Sequence, residues 1–277
     1  MRYRSVNDLD KAIRNKLHLI PKVDAVVGIP RSGMIAASLI ALYLGKPLLT
    51  IDQITENYYY NFTNRIKMTD MINTVLVVDD SCNTGNCMKR VKNTLSLVEQ
   101  IAFIYSAVYV TVDAIKQVDF YFEICDQLRV FEWNIMDHQV LHYACVDMDG
   151  VLCANPTTEQ NDDGENYMEF LKTARPKFIP QHPIRAIVTC RLEKYREQTE
   201  AWLKEHGIKY DKLYMMDYPT AADRRRANNY TEYKASIYER TRSLLFIESE
   251  PFQAKEIYEL VHHPVYCVGD NVFYGGC

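Results

Sequence analysis

The chain has 277 residues, 48% of them apolar and 25% charged, with a formal net charge of −4. That length is ample for two domains with cores of their own, and the composition is that of an ordinary globular protein. The mildly acidic balance argues against a general binder of nucleic acid or membrane surfaces and leaves only local basic patches open.

The first residues, 1–11, are charged and lack an apolar core, so no signal peptide is expected. Residues 24–29 read as a strand, 33–44 as an apolar helix buried between layers, 46–52 as a second strand and 74–78 as a third. The apolar helix is far shorter than the ~18 residues a membrane span needs. A helix over 87–98 follows, then strands over 100–111, 120–125 and 130–133. Residues 136–142 have no period and are the linker candidate between domains 1–140 and 141–277. No Pro/Gly/Ser-rich spacer separates the halves, so the two domains are expected to pack together. The second half restarts with a strand over 143–146 and a polar loop over 155–165. A strand over 185–188, an amphipathic helix over 192–205 closed by Gly207, and strands over 212–215, 243–247 and 264–268 complete it. Alternating strands and helices predict an α/β class, with two doubly wound, mostly parallel sheets. The eight cysteines form no zinc-finger spacing and need not staple a chain of this length, so a reducing cytoplasm is expected.

Two motifs stand out, each an apolar run ending in two nearby carboxylates and then small residues. They are V-L-V-V-D-D-S-C-N-T-G, from Val75 to Gly85, and A-C-V-D-M-D-G-V-L, from Ala144 to Leu152. A buried parallel strand delivers acids and a phosphate-sized loop to the ligand-binding edge of an open sheet in this way. Both read as sites for Mg²⁺ and a phosphorylated small molecule.

Upstream of the first motif, V-V-G-I-P-R-S-G-M turns from a strand into a helix. Such a turn can aim N–H groups at an anion, with Arg31 as a cationic fork, although alone it is commonly just a corner. The acids and Ser81 to Gly85 suit hydroxyls, hydrated Mg²⁺ and phosphate. Together the two loops resemble the pyrophosphate loop and the phosphoribosyl pyrophosphate (PRPP) motif of type I phosphoribosyltransferases, over roughly residues 1–135. The resemblance implies that Asp79 and Asp80 bind the ribose hydroxyls and that Ser81, Asn83, Thr84 and Gly85 bind the 5′-phosphate. It also implies that Arg31, Ser32 and Gly33 bind pyrophosphate and Mg²⁺. Cys82, Asn83 and Cys87 depart from the family's usual residues. Tyr58, Tyr59, Arg65 and Lys67 fall where the family keeps a mobile lid, and packing of a loop onto the surface explains the tyrosines equally well.

After the second motif, Thr189 ends a strand, Lys234 precedes a helical stretch, and Glu248 ends the Leu245-Phe246-Ile247 run with Glu250 close behind. In this order they resemble the four motifs of haloacid dehalogenase-like phosphatases, over roughly residues 141–277. The resemblance implies a nucleophile in Asp147, a general acid and base in Asp149, phosphoryl holders in Thr189 and Lys234, and a Mg²⁺ set of Asp147, Asp149 and Glu248. The choice between Glu248 and Glu250 stays open. The inserts between motifs leave no room for a sizeable cap. The T-C-R-L-E-K stretch and the Arg224-Arg225-Arg226 run are also similar to polynucleotide 3′-phosphatase domains, in which Arg191 and the arginine run would meet phosphates.

The expected protein is a bifunctional enzyme that joins a nucleobase-like acceptor to PRPP, releases pyrophosphate and hydrolyses a phosphomonoester, with Mg²⁺ as cofactor. No membrane partner is expected, nucleic acid is not the expected partner, and a homo-oligomer stays open. The rival readings are a non-catalytic PRPP or nucleotide sensor that regulates the phosphatase, and a nucleic-acid end-processing enzyme.

Overall fold

In a computed structural model that describes residues 1–56, 72–126 and 128–276, the alternating apolar runs form two units, Arg2–Trp133 and Asn134–Cys277. The lid candidates Tyr58, Tyr59, Arg65 and Lys67 lie outside the described residues. The division falls between Trp133 and Asn134. Residues 136–142, the linker candidate, form 3-10 turns, Glu132–Asp137 and Gln139–Tyr143, that run into the second unit.

The first unit contains β1 (Arg2–Arg4), α1 (Val6–Lys16), β2 (Ala25–Gly28), α2 (Gly33–Leu44), β3 (Leu48–Leu49) and α3 (Ile51–Thr55). It continues through β4 (Thr74–Cys82), α4 (Asn86–Leu95), β5 (Ala102–Val110), β6 (Phe120–Ile124) and β7 (Arg129–Phe131). Its main sheet has the order β3-β2-β4-β5-β6 and is parallel throughout. Period-2 alternation sends Val26, Leu76 and Val78 toward Leu9, Ile13 and Ile40 of α1 and α2. Val27, Val75 and Val77 pack instead with Met88, Val91 and Leu95 of α4. Burial on both faces is why these strands are nearly uninterrupted apolar runs. The stretch read as a second long strand is instead the two-residue β3 followed by α3. Thr50 and Gln53 form a reciprocal capping box there, and that fixes the start of a helix. Residues 2–4, not predicted as a strand, pair in parallel with β7.

The second unit contains β8 (Ala144–Val146), α5 (Glu165–Thr173), β9 (Ile184–Leu192), α6 (Arg196–Glu205), β10 (Tyr210–Met216) and α7 (Ala221–Ala227). After these come α8 (Tyr230–Thr241), β11 (Leu245–Glu248), α9 (Pro251–Val261), β12 (Val265–Cys267) and β13 (Val272–Tyr274). Its six-stranded sheet has the order β10-β9-β8-β11-β12-β13, with only β13 antiparallel.

In both sheets the strand order reverses beside a central strand. The first chain path moves from β2 out to β3 and returns to β4 on the other side. The second moves from β8 through β9 and β10 and returns to β11. Helices diverge at such a switch point and leave a crevice outside the carboxyl ends of the strands. Both acidic motifs stand at these ends. Among the described residues no helix is long and apolar enough to cross a membrane, and their cysteines are all free.

Candidate functional site

In the first unit, Asp79 and Asp80 lie inside β4 rather than in the turn after it, because β5 keeps pairing with β4 as far as Cys82↔Val110. Both acids are therefore buried. The Asp80 N–H donates to Asp79 Oδ1 at 3.0 Å. Ser32 Oγ donates to Asp80 Oδ1 at 2.9 Å, and Trp133 Nε1 donates to Oδ2 at 2.8 Å. The turn after β2 and the acids of β4 thus form one site. Trp133 stacks on Phe131, which stacks on Tyr109, so an aromatic ladder backs the acid. Burial, and then the charge of Asp80, push the Asp79 carboxyl up to about 8.

Gly33 makes the close approach of the turn possible, since a Cβ there would sit 2.8 Å from the Val78 carbonyl oxygen and 3.0 Å from Asp79 Cα. Gly33→Ala should therefore push α2 off β4. The expected result is a loss of about 1–3 kcal/mol, read as a lower melting temperature for the first unit, and an unchanged transition would show that the turn has slack.

No side chain caps α2 or α4, and α4 starts from Gly85 in the left-handed region at φ 75°. In α2 the Met34 and Ile35 N–H groups already donate to the Arg31 and Ser32 carbonyls, so the start of α4 is the one left for an incoming anion. Asn83 and Thr84 are exposed in the loop before α4, and Ser81 is half-buried. Arg31 is exposed at the turn after β2.

In the second unit, Asp147 follows β8, Thr189 lies in β9, Lys234 points from α8 and Glu248 ends β11. Lys234 Nζ bridges Asp147 Oδ2 at 2.9 Å and Glu248 Oε2 at 2.7 Å, and all three side chains are buried. Burial and the charge of Glu248 push the Asp147 carboxyl well above the usual carboxylate range, against the pull of Lys234. Burial alone would lower Lys234, but the two carboxylates outweigh it and hold it charged. Glu248 Oε1 accepts from the N–H groups of Ser249 and Glu250. Glu250 instead caps α9 by accepting from the Gln253 N–H at 2.7 Å. Of the two glutamates, Glu248 therefore faces Asp147.

Asp149 is turned to a different partner. Arg191 grips it side-on, with Nη2 2.6 Å from Oδ1 and Nε 3.0 Å from Oδ2. Burial works against the charge of Arg191, and Asp149 more than offsets it and raises the guanidinium. Arg191, which one reading of the sequence sets against substrate phosphate, is thus committed to a carboxylate. Gly150 sits at φ 83°, a conformation L side chains rarely adopt, and Ser249 would collide with a Cβ there. Lys177 Nζ and Ser249 Oγ donate to the carbonyls of Gly150 and Asp149 and pin this turn from both sides. Asp147, Asp149, Thr189, Lys234 and Glu248 all line one cavity of about 280 Å³, with Tyr167, Arg224 and Tyr230 among its other walls.

Solved structures similar to parts of the chain include the xanthine-guanine-hypoxanthine phosphoribosyltransferase of Helicobacter pylori. It is 16% identical over 48% of this chain and 92% of that one, with a TM-score of 0.37. A purine phosphoribosyltransferase from Pyrococcus horikoshii Ot3 is 20% identical over 48% of this chain and 92% of its own, with a TM-score of 0.37. A structure of the Pnkp1/Rnl/Hen1 complex matches 96% of this chain and 86% of its own at 14% identity, with a TM-score of 0.29. No protein-family model matches the chain, and no curated protein matches it. Likenesses this distant carry no inference about activity.

Among the described residues no three His, Cys, Asp or Glu side chains gather as a metal cluster. The residues nevertheless fit Mg²⁺ in its usual form, which takes one or two carboxylates and keeps several waters. Asp147 and Glu248 are buried face to face, and the charge of Glu248 raises the cost of charge on Asp147. The carboxylate of Asp149, held by Arg191, stands outside that pair. Trp133, Lys177 and Ser249 were not singled out from the sequence. Only the aromatic Phe131-Glu132-Trp133 stretch at the end of β7 carries a local hint of any of them.

Proposed function

We propose that the first unit transfers the phosphoribosyl group of PRPP to a nucleobase-like acceptor and that the second hydrolyses a phosphomonoester with Mg²⁺. One observation carries the reading. In both sheets buried acids gather toward the carboxyl ends of central parallel strands where strand order reverses, Asp79 and Asp80 on β4 and Asp147 and Glu248 at β8 and β11.

In the first unit the acceptor nitrogen would attack the ribose C1′ as the bond to pyrophosphate breaks, and pyrophosphate leaves with the electron pair. Asp79 and Asp80 would hold the ribose hydroxyls, and the uncapped start of α4 and the Ser81 to Gly85 loop the 5′-phosphate. Arg31, Ser32 and Gly33 would hold pyrophosphate. The hydrogen bond from Ser32 to Asp80 supports this division, because it joins the two halves of the site.

In the second unit an Asp147 oxygen would attack phosphorus while the ester oxygen departs and takes a proton from the protonated form of Asp149, which would then settle against Arg191 as the carboxylate. Asp149 would then deprotonate a water that attacks the aspartyl phosphate and releases inorganic phosphate. Thr189 and Lys234 would orient the phosphoryl oxygens, and Arg191 would keep Asp149 in place. Mg²⁺ held by Asp147 and Glu248 would supply positive charge against those oxygens.

The test is PRPP consumption with a panel of nucleobases, alongside release of phosphate from a nucleotide, an aryl phosphate and a 3′-phosphorylated oligonucleotide. Asp80→Asn should weaken PRPP binding by about 1.5–3 kcal/mol, the worth of a charge-assisted hydrogen bond, and leave phosphate release intact. PRPP binding without turnover on any base would favour the sensor. Unchanged PRPP affinity in Asp80→Asn would remove the site, and phosphate release from the oligonucleotide alone would favour end processing.

A further inference from the structure

The cations around the second-unit cavity are unequally committed. Lys234 is shared between Asp147 and Glu248. Arg191 is occupied by both oxygens of Asp149. Arg224 is different: it lines the cavity, yet it makes no ion pair among the described residues. Its Nη1 donates to the Cys190 carbonyl at 2.5 Å, next to Thr189, and its Nε is buried without a partner. The ring of Tyr230 lies 5.9 Å from its guanidinium carbon. The rest of the arginine run behaves otherwise, since Arg225 and Arg226 are exposed and Arg226 pairs with Asp223 at 3.2 Å.

A guanidinium has five N–H donors, and the edge formed by Nε and Nη2 takes a carboxylate or phosphate side-on. In Arg224 the bond to Cys190 fixes the plane through Nη1 and leaves that edge without a hydrogen bond. A buried N–H with no acceptor is costly, and an oxyanion would relieve the cost. The charge balance points the same way. Asp147, Asp149, Glu248 and Glu250 all line the cavity, and a phosphomonoester dianion entering it adds to their repulsion. Lys234 and Arg191 are already paired with these acids, so among the described residues the cationic side chain of the wall still open to a ligand, beside any Mg²⁺, is Arg224.

We propose that Arg224 is a substrate-binding residue of this cavity, its Nε–Nη2 edge holding the dianionic phosphoryl group beside Thr189. The proposal rests on the phosphatase reading of the cavity and narrows the phosphate contact that one resemblance gives to Arg191 and the arginine run to Arg224 alone. Inorganic phosphate carries the same oxyanion edge as the substrate and lacks the leaving group, so it is the direct probe.

The experiment uses the full chain with Mg²⁺, in wild type, Arg224→Gln, Arg224→Lys and the exposed neighbour variant Arg225→Gln. Two quantities are measured, the inhibition constant of inorganic phosphate against p-nitrophenyl phosphate hydrolysis and the phosphate dissociation constant by calorimetry. Arg224→Gln should weaken phosphate on both measures by on the order of ten- to a hundredfold, as expected for a charge-assisted contact. Arg224→Lys, which keeps the charge and loses the fork, should recover part of that loss, and Arg225→Gln should match wild type. If Arg224→Gln misfolds, as judged by its melting transition, the Arg224→Lys value decides, and a wild-type phosphate constant there overturns the proposal. Unchanged constants in Arg224→Gln overturn it as well. So does a loss confined to substrates with a second phosphate, which would put Arg224 against the leaving group. If wild type hydrolyses nothing, the phosphatase reading falls and calorimetry alone decides: phosphate binding lost in Arg224→Gln upholds the contact, and binding absent from wild type or unchanged overturns it.

Discussion

Asp147→Asn is expected to lower hydrolysis of an aryl phosphate by roughly 10³-fold or more, the scale seen when a covalent nucleophile is removed. An amide keeps the shape of the side chain and cannot attack phosphorus. The fold should tolerate the change, because burial and Glu248 already disfavour the charged form of Asp147. Lys234 keeps Glu248 at 2.7 Å, so the substitution leaves no unpaired buried ammonium. The melting temperature of the second unit should therefore stay within a few degrees of wild type, a shift of ~1 kcal/mol or less, and PRPP binding by the first unit should be unaffected. Turnover at the wild-type level would remove the aspartyl-phosphate route. A collapse of the melting transition would instead make Asp147 a structural anchor.

Local pattern accounts for what was legible in the sequence. The helix over Gly33–Leu44 is read residue for residue, because an apolar run broken only by Ser38 ends at Gly45, which adopts the left-handed conformation that stops a helix. β2, β5, β6 and β9 are found within a few residues because each is an apolar, β-branched or aromatic run, buried throughout in β2 and nearly so in β9. The β3–α3 segment was misread although its signal was local, since Thr50 and Gln53 spell a capping box inside an apolar run. Other features have no local signal. Trp133 reaches Asp80 across 53 positions of sequence, and Arg191 reaches Asp149 across 42. These contacts depend on which strands become neighbours, which no window of sequence encodes. The depth of the first acid pair was hidden likewise. Asp79 and Asp80 look like the end of a strand until the length of β5 carries the pairing past them.

That burial makes Asp79→Asn the second large test, with opposite signs for stability and function. The Asp79 carboxyl is raised to about 8, first by burial and then by the charge of Asp80. A raised folded-state pKa means that the protonated form is the favoured one in the fold. Its stabilising contribution is complete below the ordinary carboxylate pKa of about 3.9 and is lost as pH climbs through about 8. Wild type should therefore lose first-unit stability between those limits, and Asn, always neutral and similar in shape, should remove that part of the slope. At pH 8.5 the variant is expected to be more stable by on the order of 2–4 kcal/mol, read as a rise of several degrees in the first melting transition. Near pH 4 the two proteins should melt nearly together. On the proposed role of this acid, PRPP binding should move the other way, because the variant no longer offers a negative charge to the ribose hydroxyls. A buried acid whose charge costs the fold stability marks a candidate functional site, and the two readouts together test whether a ligand uses that charge. A variant that gains stability at pH 8.5 and keeps full PRPP affinity would detach the buried charge from the ligand. One that melts lower at every pH would show Asp79 to be a structural acid.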